Sequence, residues 1–290
     1  MIKLRGAAFG FAVLVLVAAC GSSAGSSSVG SSGLTSQDSS APDASVPLAA
    51  DSVATYRAYL EQNADLLVQR TKPFVDAVIA GKIPQAKALY AAAREPYERI
   101  EPAAGVFGDL DPAIDALESD IPAGGTFSGF HRLERALWQQ NTTAGMAPVA
   151  KKLLADVIQV QALVKTIDLD PATIANGAVG LLNEISATKT SGVEDRYSHT
   201  DLWDIQANLV GAQAAYNSVR PLIVTRAAAL ATTIDGGFSA VLAALQPYQK
   251  GAGFVSFTTL TPADTQAFGQ LVDALADPLS QVAAIVVSAQ

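Results

Sequence analysis

Apolar residues recur with the period of an α-helix along most of the chain, beginning at about Ala49. In the first such segment Tyr56 and Leu60 fall on one helical face, and the pattern stops at Gly81, a residue type that commonly ends helices. The next segment, residues 83–100, is rich in alanine and carries a proline in its first turn, where proline is well tolerated. Both segments are therefore predicted to be helices.

Helical periodicity continues beyond these two segments to the C-terminus. Further helices are predicted at residues 110–119, 128–140, 148–167, 171–188, 201–231, 237–246 and 262–289. Residues 254–259 show an alternation that suggests a strand, but it is weak. Because the helices are joined by short or moderate loops, the sequence predicts an all-α fold built from antiparallel helical bundles.

The N-terminus has the features of a secretion signal. Lys3 and Arg5 precede an apolar run over residues 7–19, which is too short to cross a bilayer as a helix, since that requires about 20 residues. Two alanines precede Cys20 and a glycine follows it, an arrangement that resembles the lipobox of bacterial lipoproteins. We expect a signal peptide at residues 1–19, cleavage before Cys20, and lipid, including palmitate, on its sulfur. The alternative is an ordinary signal with an incidental cysteine.

The segment after Cys20 differs in composition from the predicted helices. Residues 21–45 are dominated by serine, glycine and alanine, a composition that cannot bury a hydrophobic core. We expect residues 20–45 to form a lipidated, flexible tether and residues 46–290 to form the folded domain. The protein would then be exported and anchored by lipid to the bacterial cell membrane, with its domain facing outside the cytoplasm.

Composition and charge narrow the range of functions. The chain has 290 residues, of which 50% are hydrophobic and 16% charged, and its formal net charge is −8. This acidity disfavours binding to nucleic acid or to an anionic membrane surface. It suits a protein that carries cations, although an acidic surface also simply aids solubility. The single cysteine excludes an internal disulfide and a metal site built on several cysteines.

The clearest local signal for metal binding is the pair His131 and Glu134. Spaced three residues apart on a predicted helix, the two side chains point to the same side, where an imidazole nitrogen and a carboxylate oxygen can bind one cation. The chain has only two histidines, and His131 is one of them. Such pairs also form ordinary surface hydrogen bonds, so the spacing alone leaves both interpretations open.

A second pair with the same spacing lies earlier in the chain. Glu98 and Glu101 are near the end of a predicted helix, and two neighbouring carboxylates repel each other unless a cation or a proton lies between them. More carboxylates follow over residues 109–120, among them Asp115. The alternatives are a solvent-exposed acidic helix end for the pair, and a helix cap for Asp111, which precedes a proline.

A third polar cluster, residues 194–201, precedes the longest predicted helix. It contains Glu194 and His199, and Thr200 or Asp201 is suited to cap the helix that follows. The cluster leaves two roles open for His199: a metal ligand, or a side chain that holds the loop through hydrogen bonds.

In this order, the three clusters resemble the imelysin-like domain of the EfeO/EfeM iron-uptake lipoproteins. The resemblance is carried by the motifs AREPYERIEP (93–102), FGDLDP (107–112), SGFHRLE (128–134), ALW (136–138) and EDRYSHTDLWD (194–204). It extends from about Ala49 to the C-terminus and implies an all-α fold of two four-helix bundles. Longer relatives also carry an N-terminal cupredoxin domain, so this chain is expected to be the short form.

The resemblance also implies a metal site built on the His-x-x-Glu signature. Carried over by position, the ligands would be Glu98, Glu101, Asp115, His131, Glu134 and Glu194. The chain departs from the family pattern at Leu117, where relatives usually have arginine, and at Val193, which interrupts the acidic run before Tyr197. The second departure leaves Glu194 with the weakest support of the six.

The arrangement of the motifs gives the site an expected geometry. One cation should lie between the helix that carries His131 and Glu134 and the helix that carries Glu98 and Glu101, with Asp115 closing the shell. Neither His131 nor Glu98 is expected to be a core residue.

The function implied by the resemblance is that of a binding protein, not an enzyme. It would capture ferrous or ferric iron and deliver it to a membrane iron permease of an Efe-type system that also contains a haem peroxidase. Carboxylate and imidazole ligands suit iron and also tolerate copper or zinc. The alternatives are an imelysin-like metallopeptidase, against which the lack of a His-Glu-x-x-His motif speaks, and an acidic polysaccharide- or partner-binding module.

Overall fold

The structure of the protein is a computed structural model that describes residues 45–288. The predicted signal peptide, Cys20 and the tether up to residue 44 lie outside the described residues. Within residues 45–288 the chain is almost entirely helical, as the sequence predicts. The helices are α1 (Ser45–Ile79), α2 (Ile83–Ile100), α3 (Leu110–Asp115), α4 (Gly129–Trp138), α5 (Ala147–Leu163), α6 (Pro171–Ala187), α7 (Asp201–Leu245), α8 (Pro262–Leu279) and α9 (Val282–Val287).

The first bundle is built from α1, α2, α4 and α5. α1 and α2 form an antiparallel pair, and Gly81 between them adopts a φ of 71°, the left-handed conformation that lets the chain reverse at little cost. α1 also packs on α5, and α2 packs on α4. Their buried faces enclose an apolar core that includes Tyr56, Leu60, Tyr90 and Phe130, so the helical periodicity of the sequence is explained by this core.

The longest helix, α7, folds back on itself. It is broken at Ala227, where φ is −146° and ψ is 57°. The rings of Tyr216 and Phe238 lie 5.7 Å apart, whereas residues separated by this many positions in a straight helix would be about 33 Å apart. The two halves of α7, residues 201–226 and 228–245, therefore pack side by side.

The second bundle consists of α6, α8 and the two halves of α7, with α9 packed on α6 and α7. Its interior is apolar and includes Ile234, Val272 and Leu275. Two segments, Asp201–Tyr248 and Pro262–Val287, reach the length and mean hydropathy of a membrane-crossing helix, but they supply the core of this bundle. The prediction of two antiparallel four-helix bundles is confirmed.

The break in α7 differs from its predicted position between residues 231 and 237. Gly237 stays helical, and a Cβ placed there would lie 2.9 Å from Leu275 Cδ1. Glycine at this position therefore serves the close packing of α8 on α7. The chain reverses instead at Ala227.

Three shorter elements also differ from prediction. The helix predicted at residues 110–119 ends early, because Ala116 adopts an extended ψ of 134°. Of residues 254–259, where the strand signal was weak, only Phe254 lies in a strand, and Phe257–Thr259 form a short helical turn. Phe254 belongs to a small hairpin of two-residue strands, β1 (Gln249–Lys250) and β2 (Gly253–Phe254). The predicted C-terminal helix is divided into α8 and α9.

Two glycines let the bundles approach closely at the end of α2. A Cβ on Gly211 of α7 would lie 2.3 Å from the carbonyl oxygen of Arg99, and a Cβ on Gly177 of α6 would lie 2.0 Å from that of Pro102. Only glycine fits at such separations. These contacts bring α6 and the first half of α7 against the part of α2 that carries the acidic motif.

Candidate metal centre

The six predicted ligands come together where the two bundles meet. They lie in the last turn of α2 (Glu98), the turn after it (Glu101), the end of α3 (Asp115), the first turns of α4 (His131, Glu134) and the loop before α7 (Glu194). Three overlapping groups have ligand atoms within 4.8 Å of one another: Asp115, His131 and Glu194; His131, Glu134 and Asp195; and Glu98, Glu101 and Asp115. This placement is what a shared cation site requires.

A tight backbone contact sets His131 beside Asp115. Gly129 opens α4 with a φ of 75°, and a Cβ there would lie 2.1 Å from the carbonyl oxygen of Ile114. The glycine of the SGFHRLE motif therefore allows the first turn of α4 to rest directly on the end of α3. His131, two residues later, therefore lies beside Asp115 at the end of α3.

The ring of His131 is buried, and both of its nitrogens face carboxylates. Nδ1 lies 3.2 Å from Glu134 Oε2, while Nε2 lies 3.5 Å from Asp115 Oδ1 and 3.8 Å from Glu194 Oε1. Nε2 has no hydrogen-bond partner within the described part of the chain. Burial and the Arg94 guanidinium lower the pKa of His131, but its carboxylate neighbours outweigh both and raise that pKa to about 10.

Glu134 connects His131 to the loop before α7. Its Oε1 accepts hydrogen bonds from the backbone N–H groups of Tyr197 at 2.8 Å and Ser198 at 2.7 Å. Burial raises the pKa of Glu134, but these hydrogen bonds and His131 together bring that pKa below its ordinary value. With both oxygens engaged, Glu134 orients the imidazole in the way that outer partners orient metal-binding histidines.

Arg94, one turn before Glu98 on α2, is a central residue that the sequence prediction missed. Its side chain is fully buried and contacts five carboxylates. These are Glu98 at 2.5 Å, Asp204 at 3.3 Å, Glu194 at 3.4 Å, Asp195 at 3.6 Å, and Asp115. Burial lowers the pKa of Arg94, but its acidic neighbours raise it well above its ordinary value. The i, i+4 spacing of Arg94 and Glu98 was a signal for this pairing.

A second buried cation lies on the other side of Glu98. Lys189 Nζ is 3.0 Å from Glu98 Oε2, 2.9 Å from Glu101 Oε2 and 3.5 Å from Glu194 Oε1. Burial lowers the pKa of Lys189, but these carboxylates raise it well above its ordinary value. Asn208 Nδ2 donates to Glu98 at 3.1 Å and to Glu101 at 2.6 Å. No signal in the sequence marks Lys189, because a lysine in a short turn is ordinarily exposed.

Two further carboxylates complete the centre and were also missed. Asp195 and Asp204 are fully buried, and Asp195 accepts a hydrogen bond from the Tyr90 hydroxyl at 3.0 Å. Burial raises the pKa of both carboxyls, although Arg94 opposes it. Asp195 directly follows Glu194, so the motif that contains the predicted ligand supplies two acids to the centre.

The centre therefore holds an excess of negative groups. Three cationic side chains, Arg94, Lys189 and His131, face seven carboxylates: Glu98, Glu101, Asp115, Glu134, Glu194, Asp195 and Asp204. Such an excess is costly in a buried region unless protons or a further cation neutralise it. Burial raises the pKa of Asp115 to about 7, so protons share this task at neutral pH.

One expectation about this region is wrong, and one alternative is excluded. Glu98 and His131 were not expected to be core residues, yet their side chains are 0% and 2% exposed, because α2 and α4 turn these faces toward α7. Asp111 does not cap α3. Its carboxylate accepts a hydrogen bond from the Tyr97 hydroxyl at 2.6 Å, and the capping position belongs to Asp109.

His199 serves the loop before α7. It adopts a φ of 60°, its N–H donates to the carbonyl of Asp195 at 2.7 Å, and its own carbonyl accepts from the N–H of Phe257 at 3.0 Å. It belongs to none of the ligand groups found among the described residues. The structure thus favours the loop-holding interpretation of His199, through its backbone.

A small cavity lies directly against the imidazole. It has a volume of about 20 Å³ and is lined in part by His131, Glu134, Glu194 and Tyr197. A space of about 10–15 Å³ or more can hold one water-sized occupant. The cavity therefore has room for one ion beside the nitrogen and oxygen atoms that would bind it.

A larger cavity of about 900 Å³ approaches the centre between α3 and α6. Six carboxylate side chains line it: Glu101, Asp111, Asp115, Asp120, Glu184 and Glu194. Three of the six are predicted ligands. The cavity thus presents an acidic wall that leads from the surface of the bundles to the centre.

Comparison with known proteins identifies the family of the chain. The sequence matches the imelysin family over residues 52–282. It is 44% identical over 234 residues to the iron uptake system component EfeO of Escherichia coli strain K12, and equally to those of Shigella flexneri and Shigella sonnei. The alignment covers 80% of this chain and 62% of each relative, so the chain spans less than two thirds of their length. By family match and identity, the chain belongs to the imelysin family, as an imelysin-like protein of the EfeO/EfeM type.

Proposed function

We propose that this protein is the metal-binding component of an iron-uptake system, and that it captures iron outside the cytoplasm and delivers it to a membrane permease. The observation that carries the proposal is the buried excess of carboxylates around His131, whose Nε2 lacks a hydrogen-bond partner in the described region and faces Asp115 and Glu194. The relatives are named as iron uptake system components. Iron ions bind the carboxylate oxygens and imidazole nitrogens that this centre offers.

In this proposal the chain binds the cation from three sides. His131 and Glu194 bind it beside the small cavity, and Asp115 completes this ligand group. Glu98 and Glu101, which form a second group with Asp115, supply further oxygens from α2. Glu134, which the resemblance implied as a ligand, is assigned a different role in this proposal: it accepts the proton of His131 Nδ1 and so directs Nε2 toward the ion. Because the imidazole must be neutral to bind a metal, binding releases a proton.

Calorimetric titration tests the proposal. The domain should bind Fe²⁺ under anaerobic conditions, and Mn²⁺ as a stable substitute, with a gain in unfolding free energy of RT ln(1 + [L]/Kd). His131→Gln and Glu194→Gln should each weaken Mn²⁺ affinity by about tenfold or more, since losing even an outer partner of a metal site costs about 10–100-fold. Glu194→Gln is isosteric, and His131→Gln keeps a polar side chain of similar length, so both limit disturbance of the buried packing.

Asp156→Asn is the matched control. Asp156 is also a buried carboxylate, 3% exposed, but it pairs with Lys152 on α5, away from the centre. This variant should bind Mn²⁺ as the original protein does. If His131→Gln and Glu194→Gln also keep the original affinity while circular dichroism shows an intact helical fold, the centre is not the metal site.

The proposal describes a binding protein, although the matching family is also classed as a peptidase. His131 is the one imidazole in the ligand groups of residues 45–288, whereas catalytic zinc sites usually use more nitrogen ligands and keep an open position. Incubation with casein at saturating Zn²⁺ should give no cleavage. Cleavage that disappears in Glu134→Gln would assign a metallopeptidase instead.

We also propose that the domain is exported and attached to the membrane through lipid on Cys20. The support is the apolar run of residues 7–19 that ends in two alanines before this cysteine. A lipid chain contributes about 0.8 kcal/mol per buried methylene, so Cys20→Ser should move the protein from the membrane fraction to the soluble fraction. Unchanged membrane association and processing in this variant would exclude lipid attachment at Cys20.

A further inference from the structure

The ammonium group of Lys189 occupies a site that would also suit a metal ion. Its side chain is 0% exposed, and Nζ donates to Glu98 at 3.0 Å and to both oxygens of Glu101 at 3.1 and 2.9 Å. Buried lysines are rare, and a buried ammonium surrounded by carboxylates replaces its hydration shell with their oxygens. The same oxygen atoms form the ligand set that a hard multivalent cation prefers.

Asn208 gives an independent sign that this subsite is built for an occupant. The side chain is fully buried on α7, and its Nδ2 donates to both Glu98 and Glu101. Its Oδ1 has no hydrogen-bond partner in the described part of the chain. Because Nδ2 faces the two carboxylates, Oδ1 points away from them, and the amide must rotate about its Cβ–Cγ bond to present this oxygen to a cation in the subsite. An unpartnered buried amide oxygen is costly, and an amide oxygen is a good ligand for a hard cation.

An acidic cavity next to this subsite could receive the ammonium of Lys189. It lies in the short helical turn Lys189–Ser191 that follows α6, and its partners Glu101 and Glu194 line the cavity of about 900 Å³. Glu184, in the last turn of α6, lines the same cavity. A lysine side chain has a flexible four-carbon stem, so its ammonium can leave Glu98 for this acidic wall without a change in the helices.

We propose that Lys189 is a tethered stand-in cation: its ammonium holds the subsite of Glu98, Glu101 and Asn208 until a multivalent metal ion enters through the acidic cavity and displaces it. This rests on the proposed metal-binding function. The exchange makes Lys189 a determinant of specificity. A sodium or potassium ion brings no more charge than the ammonium it would displace, whereas a divalent or trivalent ion attracts the carboxylates two or three times as strongly at equal distance.

Amine labelling of the unaltered protein tests the exchange. Acetic anhydride should leave Lys189 unmodified in the metal-free protein, and saturating Mn²⁺ should raise its modification several-fold, measured by peptide mass spectrometry. Lys152, whose side chain is 55% exposed, should be modified equally in both states. The same concentration of K⁺ should leave Lys189 protected.

The outcomes separate this inference from the proposed function. If calorimetry shows that Mn²⁺ binds but Lys189 stays protected, the displacement is wrong while the metal site stands. If Mn²⁺ does not bind at all, both the displacement of Lys189 and the proposed metal site are wrong.

Lys189→Met gives a second test, because it removes the competing cation. Mn²⁺ affinity should rise by about tenfold or more, equivalent to about 1.4 kcal/mol, and the ion should raise the melting temperature more than in the original protein. Lys152→Met, which removes the partner of the buried Asp156, is the matched control and should not change Mn²⁺ affinity. Equal or weaker Mn²⁺ binding by folded Lys189→Met would overturn the inference. If this variant folds only in the presence of Mn²⁺, the ion has taken the place of the lysine, as proposed.

Discussion

The two bundles of this protein bury opposite kinds of side chain. The second bundle encloses apolar residues such as Ile234 and Phe238, and over residues 209–288 its one buried polar side chain is Ser218. Where the first bundle meets α7, by contrast, seven carboxylates surround three cationic side chains. The two regions share α7, whose first turns carry Asp204 into the ionic centre and whose later turns are apolar inside.

If the centre binds a cation as proposed, this contrast separates the part of the molecule that stabilises the fold from the part that binds the ligand. Burying apolar surface contributes about 25 cal/mol per Å². Buried ion pairs contribute little net stability, because the loss of hydration offsets the attraction between the charges. The apolar bundle is therefore expected to stabilise the fold, and the ionic centre to be retained for binding a cation.

The largest effect is expected from removing the central cation. Arg94→Met leaves five buried carboxylates without their shared partner, and breaking a buried pair in this way costs about 3–5 kcal/mol. Urea unfolding followed by circular dichroism measures the loss, and Mn²⁺ should restore more stability to this variant than to the original protein. A loss below about 1 kcal/mol would show that the carboxylates take up protons in place of the guanidinium.

An equally buried apolar residue in the second bundle should affect stability alone. Leu275→Ala creates a cavity between α8 and α7, and changes of this kind cost about 2–5 kcal/mol. Mn²⁺ affinity, measured by calorimetry on the folded variant, should stay as in the original protein. A tenfold weaker affinity would contradict the division of roles, because it would couple the apolar bundle to the centre.

The ionic centre should also respond to pH where the apolar bundle does not. Because His131 has a pKa of about 10 in the metal-free protein, a metal must displace its proton, and Mn²⁺ affinity should rise by at least about tenfold per pH unit between pH 6.5 and 8.5. The rise should be steeper near pH 7, where Asp115 also loses its proton. Calorimetry across this range measures the slope. An affinity that does not change with pH would remove His131 Nε2 from the ligand set.

The free energy of unfolding of the metal-free protein should fall as pH rises, whereas the Mn²⁺ affinity rises. The folded-state pKa of His131 lies above the unfolded value of about 6.5. The contribution of protonated His131 to the free energy of unfolding is therefore fully present below pH 6.5 and is lost as pH rises toward 10. His131→Gln should flatten this decline in melting temperature, while Leu275→Ala should lower the whole curve without changing its slope.

The smallest of these effects concerns the contact that joins the two regions. Gly211→Ala would place a Cβ 2.3 Å from the Arg99 carbonyl oxygen, so α7 must move away from α2, at a cost of about 1–3 kcal/mol. Because Asn208 lies on the same helix, Mn²⁺ affinity should weaken as well. Gly269→Ala on α8 is the control, since a Cβ there meets nothing within 4 Å. Unchanged affinity in Gly211→Ala would mean that the centre tolerates this movement.

The motifs shared with the family predicted more residues of the ionic centre than the three-residue spacing of the two pairs did. His131 with Glu134, and Glu98 with Glu101, were found because each pair lies within one turn of a helix. Asp115 and Glu194 came only from the resemblance, and the structure brings both within 4.8 Å of other ligand atoms. Val193 interrupts the acidic run in the sequence, yet Glu194 still lies beside Asp115 and His131; its role as a ligand stays a prediction.

The sequence by itself determined the helices and most of their ends. Periodicity, Gly81 and the prolines at helix starts act within a few residues, so they are visible without the fold. The sequence did not reveal that α7 reverses at Ala227, because neither half of the helix shows locally which neighbours it packs against.

Only the tertiary structure decided how the buried charges are balanced. Lys189 meets Glu98 across 91 residues of sequence, and Arg94 meets Asp204 across 110. Such pairs leave no periodic trace, because they depend on how closely α2, α6 and α7 approach one another and not on spacing within one helix. The packing of α2, α3, α4 and the segments around α6 and α7 therefore brought scattered charges into one buried centre.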